Sequence, residues 1–323
     1  MLLSKNRVLL SFSLSLIFSS CISLDVRKTY QRPFHENLVS KGGSEKILLL
    51  DVLGEISSSP PGLLGGTALT VQDIAARLNK AKKDKSIVAV LLRVDSPGGA
   101  VTASETIFDL IADYKKRSGK KIITYISNVA ASGGYYIALA GDKIISHPSA
   151  IIGSVGAIFM KPNFEEISSK IGVDFQVYKS GIYKDMYSSF RKSSDQEARM
   201  IQGNVDLIGE KFQKHVFTNR QIKDENIKKQ VASARIFLAE EALNLNLIDE
   251  VGSIEESLKD LHTLAGLKNK ATVISYRRNE ISNDTLYSQT PDVASSESNF
   301  SFFLSAIQNK IVRSGYYYLD LSL

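Results

Sequence analysis

Two short runs in this chain carry residue types that can do chemistry together. The first, Asn128–Val–Ala–Ala–Ser–Gly–Gly–Tyr–Tyr136, puts Ser132 where an apolar strand over residues 121–126 breaks into a helix expected over residues 132–140. A serine at such a break meets the free N–H groups of a first helical turn, which stabilise a neighbouring oxyanion. The alanines before it and the glycines after it leave the space and backbone freedom that an approaching substrate chain needs. On this run alone Ser132 reads equally as a helix cap or as a nucleophile. The surroundings are not the G-x-S-x-G elbow that goes with a histidine triad, so a nucleophile here needs another base.

The second run, Ser180–Gly–Ile–Tyr–Lys–Asp–Met–Tyr187, offers that base in Lys184, in a turn after a short strand expected over residues 175–178. A lysine amine near its ordinary pKa of about 10.4 is protonated at neutral pH and accepts no proton. Desolvation among Tyr183, Met186 and Tyr187 disfavours the ammonium and yields a neutral general base. Asp185 opposes this if its carboxylate approaches the amine, and is expected to point elsewhere. The four histidines are weaker candidates. His35 lies in a polar stretch, His215 and His262 fall in expected helices as packed or solvated side chains, and His147 follows a strand. There is one cysteine and no metal-ligand spacing, so a metal mechanism is not expected.

The elements around these runs alternate. Apolar strands are expected over 47–52, 87–94, 121–126, 143–146 and 155–159, with amphipathic helices over 71–82 and 102–116, and a Ser/Pro/Gly-rich loop over 54–66. That alternation indicates an α/β protein with a mostly parallel sheet covered on both faces. Ligands of such sheets sit at the carboxyl ends of the strands. Asp95–Ser–Pro–Gly–Gly99 and Ser132 both fall there, so the glycine pair and the serine are expected to face one crevice. Further on, a long helix over 194–219 opens with a Ser-Ser-Asp cap, a helix follows over 239–247 and a last strand over 272–276.

Four motifs then combine: Asp95–Ser–Pro–Gly–Gly99, Ala130–Ala–Ser–Gly–Gly–Tyr–Tyr136, Gly153–Ser–Val–Gly156 and Lys179–Ser–Gly–Ile–Tyr–Lys–Asp185. In order and spacing they resemble the short form of bacterial signal peptide peptidase A, a family of Ser/Lys-dyad proteases, over roughly residues 45–265. The resemblance implies a crotonase/Clp-like fold with repeated β-β-α units and mostly parallel sheets, plus a helical extension for oligomerisation that suits residues 194–219. It makes Ser132 the nucleophile, Lys184 the general base, Ser154 the serine that orients the lysine, and the backbone N–H groups of Gly99 and Gly133 the oxyanion hole. It implies a cofactor-free endopeptidase for cleaved signal peptides and other unfolded peptides. It also implies a homo-oligomeric ring or dome whose neighbouring subunits line shared grooves. Ser188–Ser–Phe–Arg191 departs from the family's Ser-Pro-Phe-Arg, which removes a proline's restraint after the lysine loop. The other readings are a crotonase-type acyl-thioester enzyme, which needs no serine–lysine pair, and an inactive lipoprotein scaffold that binds peptides.

Charge and the N-terminus bear on location. The 323 residues are 43% hydrophobic and 23% charged, with a formal net charge of +6 and no basic stripe interleaved with aromatics, so nucleic acid is not an expected partner. Lys5 and Arg7 precede an apolar stretch over 8–18 and then Ser19–Ser20–Cys21, the order of a secretory signal. The cysteine after small residues resembles the bacterial lipobox, although Phe18 stands where that motif usually has an aliphatic residue. The organisation expected is a lipoprotein-type signal peptide over 1–20, a tether over 21–44, a Ser/Lys peptidase domain over 45–280, and a mobile linker with a C-terminal apolar segment over 281–323. Lipidated Cys21 would hold the protein to a membrane of the bacterial cell envelope, facing the exported side. In the last segment Phe300, Phe303, Leu304, Ile307 and Ile311 keep helical spacing. This segment could dock on the core, on a neighbouring subunit or on lipid, and its apolar, peptide-like character suits a place near a neighbouring active site.

Overall fold

Runs of aliphatic residues too short for helices become strands buried on both faces. The computed structural model describes residues 32–58, 69–279, 281–288 and 315–319, and from Pro33 onward they belong to one unit. The expected signal peptide, Cys21 and the helical spacing over 300–311 lie outside the described residues. At the centre of the main sheet are β2 (Lys46–Leu53), β5 (Ile87–Ser96), β7 (Lys121–Ala131) and β8 (Lys143–Ser146), paired in parallel in that order. β13 (Thr272–Arg277) joins β2 in parallel, and β1 (His35–Ser40) closes that edge antiparallel to β13. At the other end β12 (Glu250–Val251) pairs with β8, while β9 (Ile151–Gly153) pairs with the end of β7 and with β11 (Ile236–Leu238). This is the mostly parallel α/β sheet that the alternation requires.

Both faces of the sheet are dry. Leu48, Leu50, Val90, Leu92 and Val94 pack on one side with Ile74 and Leu78 of α1 (Val71–Lys83), Ile107 and Ile111 of α2 (Val101–Ser118), and Tyr135 of α3 (Gly133–Ala138). Ile47, Leu49, Ala89 and Leu91 pack on the other side with Ile254 and Leu261 of α8 (Ile254–Leu264). Each such aliphatic side chain contributes about 1.5–3 kcal/mol through burial. The remaining helices are α4 (Glu165–Lys170), α5 (Asp195–Asn219), α6 (Glu225–Ala232) and α7 (Ala239–Asn244). α5 starts at a capping box in which the Ser194 hydroxyl accepts from the Glu197 N–H and the Glu197 carboxylate accepts from the Ser194 N–H.

A second, smaller sheet lies at the carboxyl ends of the strands. Among the described residues its order is β10 (Ile158–Met160), β14 (Gly315–Leu319), β6 (Gly98–Ala100), β3 (Ile56–Ser57) and β4 (Leu69–Thr70).

Several expectations need correction. β7 runs on to Ala131 because β9 continues its ladder, so the helix after Ser132 starts at Gly133 and ends at Ala138. The glycine pair, expected only at a strand end, itself opens the short strand β6. No strand forms at 175–178, where the backbone finds no partner among the described residues and the side chains are exposed. Of the strand expected at 155–159 only residues 158 and 159 are strand, at the start of β10, and residues 154–157 form the loop that follows β9. The second half of the expected tether is the sheet strand β1. The expected mobile linker begins with an anchor: the buried Asp284 carboxylate accepts from Arg277 and Ser275, while Arg93 donates to the carbonyls of Leu286 and Ser288.

Candidate active site

The ends of β5 and β7 bring the two halves of the first site together. Ser96 and Ala130 are register partners across these strands, and the Asn128 amide donates to the Asp95 carboxylate at 2.6 Å. Ser96 is fully buried. Its hydroxyl donates to the Gly54 carbonyl at 2.7 Å and accepts from the Gly98 N–H at 3.1 Å, which fixes where β6 begins. Gly98 has φ 102°, a region that favours glycine, and any Cβ on Gly99 would overlap the backbone of Ile56. α3 packs against both β5 and β6, with Gly134 so close to the Ser96 carbonyl that a Cβ would stand 2.5 Å from it. The glycine pair and the serine run therefore lie side by side at the strand ends.

Ser132 is 1% exposed and has φ 52° and ψ −120°, a backbone conformation costly for any residue with a side chain. Two backbone bonds hold it there: its N–H donates to the Gly153 carbonyl at 2.7 Å, and its carbonyl accepts from the Tyr136 N–H at 2.9 Å. Its hydroxyl makes no capping bond to α3. A serine that served only as a cap would spend its hydroxyl on the helix N–H groups. Ala131 and Gly153 are register partners, so Ser154 follows β9 at the level where Ser132 follows β7. Ser154 also has positive φ, 51°, with its N–H donating to the Arg235 carbonyl at 3.0 Å.

Lys184 stands apart from this cluster. It lies in the turn expected for it, closed by the Lys184 N–H to the Gly181 carbonyl, but its side chain is exposed. Met186 is buried, yet Tyr187 is exposed, so the apolar surroundings expected for the amine are incomplete in the single chain. Among the described residues no hydrogen bond joins Lys184 to Ser132 or Ser154. Asp185 does point elsewhere. Arg191 takes both of its carboxylate oxygens, Nε to Oδ2 at 2.8 Å and Nη2 to Oδ1 at 2.9 Å, and Lys179 adds a third bond. Arg191, and then Lys179, hold the Asp185 carboxyl well below the usual carboxylate range.

The histidines do not enter the site. His215 of α5 stacks on Tyr136 with ring centroids 4.1 Å apart, and burial pushes its pKa down to about 4. The His147 ring accepts from the Ser149 N–H in its own loop. Two features were not read from the sequence. Ser96 lies in full view inside the Asp-Ser-Pro-Gly-Gly run, and its serine type was the only signal. The Arg191–Glu197 pairing has no local signature, since it joins a loop to a helix cap.

β14 completes the geometry. Its backbone pairs antiparallel with β6, Tyr318 opposite Gly99 and Leu319 opposite Gly98, and antiparallel with β10 on its other edge. The space between β6 and β10 thus accepts an extended chain beside Ser132.

Comparison with known proteins agrees with this architecture. The sequence profile of Peptidase family S49 matches residues 114–268, and that of Clp protease matches residues 67–153. The chain is 35% identical over 243 residues to a putative signal peptide peptidase SppA of Enterococcus faecium, covering 75% of this chain and 70% of that protein. It is 34% identical over 223 residues to a putative protease of Synechocystis, covering 69% and 76% respectively. A putative protease of Methanocaldococcus jannaschii is 32% identical over 196 residues, covering 61% and 62%. The two profiles together span residues 67–268, and the chain belongs to peptidase family S49 as a serine peptidase.

Proposed function

We propose that this protein is an exported, membrane-tethered endopeptidase that degrades cleaved signal peptides and other unfolded peptides with a Ser132/Lys184 dyad. The observation that carries the reading is the seating of β14 between β6 and β10, antiparallel to both, beside a strained serine whose hydroxyl caps nothing. A site that receives a strand in this way reads the backbone of any extended chain, which suits an unfolded peptide better than a folded protein. The relative named as a putative signal peptide peptidase supports the substrate class.

On this reading the Ser132 Oγ attacks the scissile carbonyl while the neutral Lys184 amine takes the hydroxyl proton. The oxyanion receives the N–H groups of Gly99 and Gly133. Collapse of the tetrahedral intermediate expels the leaving amine, which takes the proton back from the Lys184 ammonium. Water, deprotonated by the same amine, then releases the acyl group from Ser132. Ser154 orients the lysine through its hydroxyl.

The exposure of Lys184 in the single chain fits a site finished by assembly. Ile167, Ile171, Val177, Tyr178 and Ile182 are all more than half exposed, Tyr178 at 91%, and cluster in sequence around the lysine turn. So many large apolar side chains left exposed in one stretch of chain favour an interface that covers them. A homo-oligomer that covers them would also dry the amine and lower its pKa. Among the described residues no helix is long and apolar enough to cross a membrane. The tether we propose is a lipid on Cys21, which would place the protein in the cell envelope. A metabolically incorporated fatty-acid probe should label the protein and fail to label Cys21→Ala. The dyad itself is tested by Ser132→Ala and Lys184→Ala, each of which should abolish cleavage of an unfolded peptide with the thermal midpoint unchanged. Activity retained in either variant sinks the dyad.

A further inference from the structure

The lysine turn is fastened to α5 by a chain of ions. Arg191 holds Asp185 with two bonds and Glu197 with two more, Nη1 to Oε2 at 2.8 Å and Nη2 to Oε1 at 2.6 Å. The Glu197 side chain is only 4% exposed and also accepts from the Ser194 N–H, so the far end of this chain is the capping box of α5. Arg191 and then the Ser194 N–H lower the Glu197 pKa to about 2. From the other side the Lys161 ammonium donates to the Arg191 carbonyl at 3.2 Å and to the Ser193 hydroxyl at 2.8 Å, and Glu165 of α4 accepts from the Lys192 N–H. Lys179, on the lysine turn, donates to Asp185 and to the Ile182 carbonyl. These are the charged groups around the pair.

Position and charge make different demands here. Asp185 is the residue next to Lys184 in a tight turn. A carboxylate free to reach the Lys184 ammonium would stabilise the charged form, the wrong one for a general base. A planar guanidinium that takes both oxygens removes that option, and a lysine at the same place would present no such fork.

Resting on the dyad reading, we propose that Arg191 is a positioning residue for the general base: it docks the Lys184 turn on α5 and sequesters Asp185 so that this carboxylate does not pair with the Lys184 amine. Arg191 touches neither substrate nor reacting atoms and acts through Asp185.

The test is a set of pH profiles of kcat/KM on the assembled protein with an unfolded peptide substrate, with thermal midpoints recorded beside them. Arg191→Met leaves Asp185 held by Lys179 through Oδ1 alone and frees Oδ2 for the Lys184 amine, so the acid limb should move up by about one pH unit, and activity near neutral pH should fall about tenfold and recover at higher pH. Arg191→Met combined with Asp185→Asn lacks the freed carboxylate, so its acid limb should return to the parental position even though the clamp is gone. Asp185→Asn alone should leave the limb in place. A merely structural role for Arg191 would lower activity equally at every pH and would not be reversed by the second substitution. That outcome, with Lys184→Ala inactive, overturns the inference and leaves the dyad standing. An active Lys184→Ala overturns the dyad and the inference with it. Should Arg191→Met fail to fold, Arg191→Lys keeps the charge without the fork and should show a smaller upward shift of the same limb, and an unmoved limb there overturns the inference.

Discussion

The two candidate catalytic side chains are held in opposite ways. Ser132 sits at the end of a central strand, 1% exposed, in a strained conformation fixed by backbone bonds to Gly153 and Tyr136. Lys184 sits in an exposed turn with no sheet partner, fastened through its neighbour Asp185 to Arg191 and so to α5. The serine is placed by the hydrophobic core and the ladder; the lysine is placed by ion pairs at the surface. Strain of the kind seen at Ser132 persists only where surrounding structure over-determines it. A base that must be dry before it works can instead be left incomplete in the single chain, and finished when apolar surface around it is covered. The contrast suggests a nucleophile built by folding and a base activated by association.

The largest effects come from the reacting groups. Ser132→Ala and Lys184→Ala should each lower kcat/KM by about 10⁴-fold or more in a peptide-cleavage assay. Only a residue of the serine side should touch stability as well. Gly99→Ala should lose activity by about 10²-fold and destabilise the fold by about 1–3 kcal/mol in denaturant melts, because the new methyl meets the Ile56 backbone. A Gly99→Ala protein of unchanged stability would show that this side is less tightly built than its contacts indicate.

Association is the next lever. Diluting the protein should lower activity per subunit several-fold while circular dichroism stays unchanged, and concentration-independent activity would break the contrast. Deleting residues 315–323 should lower KM for short peptides a few-fold, because β14 fills the space between β6 and β10 that substrate needs. An unchanged KM would mean that peptides bind elsewhere.

The smallest effect is one of pH. The folded-state pKa of His215, about 4, lies below its ordinary 6.5, so the unfolded chain takes up this proton first as pH falls. The stability associated with a neutral His215 is therefore complete above pH 6.5 and is lost progressively down to about pH 4. His215→Gln should remove that part of the acid sensitivity, about 1 kcal/mol after allowance for partial exposure, read as a smaller fall in thermal midpoint between pH 6.5 and 4. An equal fall in both proteins would show that His215 is protonated in the folded state.

Much of this was legible in the sequence because its signals are local. Apolar runs at 47–52 and 87–94 with helical periods between them define parallel strands covered on both faces, and the Ser-Ser-Asp cap marks where α5 begins. The strand expected at 175–178 was misread because an apolar run promises a strand only if a partner edge exists, and none does among the described residues. The extension of β7 to Ala131 was hidden for the converse reason, since β9 supplies a partner that local pattern does not reveal.

The sequence by itself determined the layered α/β sheet, the meeting of the glycine pair with Ser132 at strand ends, and the family, because periodicity and short motifs depend on residues close together in the chain. Tertiary structure alone decided that the Ser132 hydroxyl caps no helix, that Ser96 sets the start of β6, that Arg191 links the lysine turn to α5, and that β14 lies against Gly98–Ala100. Only the last joins segments distant in sequence; the others turn on where a side chain points once the backbone is folded. Their energies depend on geometry and burial, which no local pattern encodes.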